Sequence, residues 1–107
     1  MKKTFWLSYD LGVGGDYENL YQWLDDHKAK LCGNGMAFFY YDYPENEDGD
    51  EALKHDLLGK VNTKPGNILY LVRQNKDKDV VGSFIYGKRQ AAPWVGFGST
   101  VPQEIDA

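Results

Sequence analysis

The sequence predicts an α+β domain, an antiparallel sheet carrying two helices on one face. Two observations predict it. Segments in which apolar residues come in period two are interleaved with two segments of helical period, and glycine- or proline-bearing breaks separate most of them. The chain has 107 residues, a length that suits one domain and leaves little room for a second. Residues 1–107 are therefore read as a single unit with an irregular tail from about position 88.

Lys3 to Tyr9 alternates, with Phe5, Leu7 and Tyr9 on one side and Thr4, Trp6 and Ser8 on the other, and so reads as a strand. Three glycines between Leu11 and Gly15 break it. Asp16 then reads as the N-cap of a helix reaching about Lys28. Tyr17, Leu20, Tyr21, Leu24 and Lys28 form its stripe, flanked by Trp23 and His27. Ala29 to Cys32 reads as a short strand, Gly33-Asn34-Gly35 as a tight turn, and Met36 to Tyr43 as the returning strand of a hairpin.

Pro44 to Asp50 is an acidic loop, and Glu51 to Val61 a second helix with Leu53, Leu57, Leu58 and Val61 toward the core. Lys64 to Asn67 ends it. Ile68 to Gln74 and Val80 to Tyr86 are strands joined by a turn over Asn75 to Lys78. The order strand, helix, strand, strand, helix, strand is the βαββαβ order of ferredoxin-like domains, here with an extra C-terminal strand.

A sheet covered on one side only should alternate apolar with polar residues. Several of these strands do not: Trp6 opposes Phe5 and Leu7, Phe38 and Tyr40 alternate with Phe39 and Tyr41, and Ile68, Tyr70 and Val72 alternate with Leu69 and Leu71. The helix-free face therefore needs a cover, and a homodimer, sheet on sheet or with the last strand and tail crossing over, is the simplest one. Trp6, Tyr40 and Tyr70 would equally stack bases on an open face, but Arg73 is the only arginine on these strands.

The formal charge of −4 hides a dipole. Asp42 to Asp56 holds seven acids and one base, whereas Leu57 to Gln90 holds seven bases and two acids. A basic patch built from Lys60, Lys64, Arg73 and Lys78 would meet phosphates weakly and with strong salt dependence. No apolar run approaches the roughly 18 residues a membrane span needs. One cysteine, Cys32, excludes an internal disulfide and a cysteine-cluster zinc site, and the default setting is cytoplasmic. Cys32 reads as a small core residue. The loop Gly12 to Asp16 matches neither a dinucleotide fingerprint nor a P-loop. The acidic stretch fails the EF-hand pattern, with Pro44 at the first ligand position and His55 at the last when Gly49 is aligned with the loop glycine. His27 and His55 lie on different helices without a paired nucleophile.

A first strand ending Leu7-Ser8-Tyr9-Asp10, a glycine loop, then Asp16-Tyr17-Glu18-Asn19-Leu20-Tyr21-Gln22-Trp23-Leu24 resembles small ferredoxin-fold proteins of the SinR-like branch, related to CRISPR-associated adaptation endonucleases. The strand Ile68 to Val72 and the ending Ala92-Pro93-Trp94-Val95-Gly96-Phe97 are similar as well. The resemblance implies that Asp10 approaches its symmetry mate in a dimer, where the pair holds Mg²⁺ or Mn²⁺ for phosphodiester hydrolysis. Two carboxylates across a two-fold axis repel unless a cation lies between them, so the arrangement is physically sensible. Asp10 is also the type of residue that caps a loop through its own backbone.

Two expectations follow. One is a dimeric protein, non-catalytic or weakly active, acting in a defence, mobile-element or toxin-related setting. The alternative is a metal-dependent endonuclease or nucleic-acid-binding protein with Asp10 as catalytic and metal-holding residue. The acidic loop and the single carboxylate favour the first.

Overall fold

A computed structural model describes residues 1–99. Strand β1 (Lys2–Asp10) is followed by helix α1 (Tyr17–Asp26), strands β2 (Lys30–Gly33) and β3 (Met36–Asp42), helix α2 (Gly49–Lys60), and strands β4 (Ile68–Gln74) and β5 (Val80–Tyr86). The five strands form one antiparallel sheet in the order β2-β3-β1-β4-β5. The fold is thus α+β. The part of the tail beyond residue 99, expected to be irregular, lies outside the described residues.

The register sorts side chains between two faces. Phe5 pairs with Phe39, and Leu7 with both Ala37 and Leu71, so these residues share one face with Leu69 and Tyr41. That face carries both helices. Leu20, Trp23 and Leu24 of α1 and Leu53 and Leu57 of α2 join the sheet residues in one buried cluster. The Trp23 ring stands edge-on to Phe39 at 5.3 Å and parallel to Tyr41 at 6.0 Å. A bulge at the end of β5 lets the consecutive Ile85 and Tyr86 both reach this core.

Helix α1 starts where expected. The Asp16 carboxylate accepts from the Asn19 backbone N–H and side-chain amide, and from the Asn62 N–H beyond the end of α2. These bonds hold the carboxyl below its ordinary range, the Asn62 bond first among them. One residue therefore caps a helix and staples the two helices together.

The helix ends at Asp26, earlier than its periodicity suggests. Ala29 N–H donates to Leu24 O and Lys28 N–H to Asp25 O, the paired bonds of a Schellman cap, with Lys28 left-handed at φ 56°. Trp23 is buried and Tyr21 is half exposed, so the inward stripe is rotated toward Trp23 relative to the sequence reading. Helix α2 begins at Gly49, ahead of the expected Glu51, because Asp48 caps it by accepting from Asp50 N–H. Cys32 is exposed on the edge strand β2 and is not a core residue, because β2 has no neighbour on its outer side.

Candidate interaction face

The face opposite the helices is built by the alternate register. Trp6 lies between Phe38 and Val72. Ser8 lies between Met36 and Tyr70, and Tyr70 in turn opposes Phe84. Trp6 and Phe38 stack at 5.4 Å, Phe38 meets Tyr40 at 5.7 Å, and Tyr70 meets Phe84 at 4.7 Å. Most of these side chains are half-buried, and Tyr40 is 57% exposed. A nearly continuous aromatic strip thus lies on a face that no helix covers.

Two glycines shape its β5 side. The Tyr70 ring lies across Gly82 on the neighbouring strand, where any Cβ would collide with it, so an aromatic fills the space left by a missing side chain. Gly87, at φ 87°, turns the chain sharply after β5 against the Asn67 backbone and leaves no room for a side chain. The turn brings the Arg89 guanidinium over Tyr70 and Phe84, 5.9 and 5.4 Å from the ring centroids. Lys2 lies 6.0 Å from the Tyr40 ring centroid. Past Arg89 the chain forms turns, and Trp94, Val95 and Phe97 are 73%, 73% and 85% exposed.

Asp10 lies at the exposed end of β1, where its Oδ1 accepts from Gly12 N–H at 2.9 Å. Its carboxylate thus closes its own glycine loop. It is the only carboxylate lining the adjacent cleft among the described residues. No group of three or more His, Cys, Asp or Glu is placed to hold a metal ion among those residues. The donor set among the described residues of one chain does not fit a resident divalent cation.

The four basic residues are not brought together on the strands. Arg73 is on the helix side of the sheet and pairs with Asp50. Lys60 ends α2, and Lys64 lies in the following loop with its Nζ 3.5 Å from Gly14 O. Lys78 occupies the β4–β5 turn at the opposite end of β4, in a left-handed conformation at φ 68°. The cations that do reach the aromatic face are Lys2 and Arg89.

Inside the helix layer, Asp56 Oδ2 accepts from Trp23 Nε1 at 3.3 Å and from the Tyr41 hydroxyl at 3.2 Å. Burial, with the Asp56 charge and hydrogen bond adding to it, pushes the Tyr41 hydroxyl up to about 12. His27 stacks on Trp23 at 3.9 Å and bonds the Trp23 carbonyl through Nδ1. These contacts give His27 a structural place beside the core. His55 is exposed on α2.

Comparison with protein-family models, with curated proteins and with solved structures finds no match to this chain. No helix among the described residues is long and apolar enough to cross a membrane.

Proposed function

We propose that the chain is a ferredoxin-like pairing domain, non-catalytic, that works as a homodimer joined through its helix-free face. The ferredoxin-like assignment is supported by the strand order β2-β3-β1-β4, with β5 added at the β4 edge. The observation that carries the pairing is the aromatic strip from Tyr40 and Phe38 through Trp6 to Tyr70 and Phe84.

Area says what else the pairing uses. Five strands spaced about 4.8 Å apart, each about 20 Å long, give a footprint of roughly 400–500 Å². A stable interface uses about 800 Å² per partner. The exposed Trp94 and Phe97, at roughly 150–250 Å² per aromatic, supply most of the difference if the tail crosses to the second copy.

Asp10 as a loop cap and the dispersed Lys60, Lys64, Arg73 and Lys78 favour this reading over nucleic-acid cleavage. One feature favours the second reading, a Mg²⁺- or Mn²⁺-dependent endonuclease of the kind the resemblance implies. Asp10 Oδ2 takes no hydrogen bond among the described residues and faces solvent. Cleavage of DNA and RNA that requires metal and disappears in Asp10→Asn would establish that alternative.

Sedimentation equilibrium tests the pairing. The parent should weigh twice 12.2 kDa, and Phe38→Glu, which puts a charge into the strip, should be a folded monomer. A parent that stays monomeric at the highest concentration reached overturns the reading.

A further inference from the structure

Around the end of β1, an open cleft of about 630 Å³ lies between the first turns of α1 and the β2–β3 turn. Its walls include Tyr9, Asp10, Tyr17, Tyr21 and Leu31. Tyr9 and Tyr21 stand nearly perpendicular, at 76°, with ring centroids 6.2 Å apart. Tyr17 is tilted at 44° to Tyr21, 5.5 Å away. The Tyr17 hydroxyl accepts from Leu11 N–H at 3.1 Å, which fixes that ring. Leu31 is 75% exposed and Tyr21 51% exposed, so two large side chains face solvent at the same spot.

The charged side chains of the cleft have one sign. Aromatic faces are negative, Asp10 adds a full negative charge, and no Lys, Arg or His lines the cleft among the described residues. Burial and its tyrosine neighbours raise Tyr9 above its ordinary value, so its hydroxyl adds no charge to the cleft. An anion is repelled here. A neutral apolar ligand would desolvate the Asp10 carboxylate without supplying a counter-charge. A cation satisfies both the rings and the carboxylate, and an apolar shell on that cation would suit Leu31.

We propose that this cleft binds an organic cation, an alkylammonium group bearing apolar substituents. Cation–π attraction to the tyrosine corner and charge attraction to Asp10 hold the head, and Leu31 contacts the alkyl surface.

Choline and its uncharged carbon isostere are titrated into the full chain and followed by NMR. Choline should bind preferentially, with its methyl signals moved upfield by the tyrosine ring currents. Tyr21→Leu should weaken it about fivefold, the value of one exposed cation–π contact. Asp10→Asn, which keeps an acceptor for Gly12 N–H, should weaken it by a similar factor at low salt. A trimethyllysine peptide run beside choline separates a protein-borne head group from a free one, and preferential binding of either supports the site. Equal binding of choline and its isostere, or unchanged choline affinity in both folded variants, overturns it.

Discussion

Replacing Trp94 and Phe97 together by serine isolates the tail's part in pairing. Both side chains are largely exposed in the single chain, at 73% and 85%, so their loss removes almost no intrachain packing and should leave the melting temperature of the monomer unchanged. If the tail crosses over, each dimer loses four aromatics from its interface. Central aromatic truncations commonly cost more than 1 kcal/mol each; a conservative ~1 kcal/mol for each of them weakens association by ~4 kcal/mol, roughly a thousandfold in Kd. The full area conversion would be larger, but buried area overstates affinity. Sedimentation equilibrium over a dilution series reads the change directly. A double variant that dimerises as tightly as the parent would show that the tail does not contribute and that the sheet faces suffice. A weakened dimer with an altered melting curve at low concentration would instead mean that the serines damaged the fold.

Three further outcomes follow from single positions. Lys28→Gly relieves a left-handed residue at the α1 C-cap, which costs a non-glycine about 1 kcal/mol, and should raise the melting temperature by roughly 4–8 °C; a lower value would refute the cap. Tyr41, held neutral up to about 12 by burial and Asp56, contributes stability that is complete below the unfolded value near 10 and is lost as pH rises through the folded value. Absorbance titration should show a late phenolate that shifts to lower pH in Asp56→Asn. Asp16, held below its ordinary range, acts with the opposite sign: its contribution is present above the unfolded carboxyl value and is lost as pH falls through the folded one. Asp16→Ala should therefore melt earlier than the parent at neutral pH, with the difference shrinking in strong acid.

Most elements were legible because strands and helices leave periods of two and 3.6 in side-chain type. Phe5, Leu7 and Leu71 could be placed on one face from alternation alone. The end of α1 was not legible, since nothing in the composition marks Lys28 as the residue that takes the left-handed cap. Tyr21 and Trp23 exchanged places for a similar reason: both suit a helical stripe, and only the position of the sheet decides which turns inward. Cys32 was misread because burial depends on strand order, and β2 proved to be an edge. The aromatic face was visible in the doubled apolar pattern of β1, β3 and β4. Arg89 above Tyr70 and Phe84 was not, because it depends on a turn at Gly87 that folds the following residues back across the sheet. The tyrosine corner left a faint trace in the spacing of Tyr17 and Tyr21, which put both on one helix face without revealing Tyr9 beside them.

The place of β1 has a consequence for how the chain is made. The first of the five strands in chain order is the middle one of the sheet, and its two neighbours, β3 and β4, come later in the chain. Asp10 meets Ile68 in the finished sheet, a partner 58 positions downstream by subtraction. At about 5–20 residues per second that interval is roughly 3–12 s, during which Phe5, Trp6 and Leu7 are outside the ribosome before both sides of their strand can be paired. For that interval the nascent chain carries an apolar strand that lacks at least one of its two neighbours.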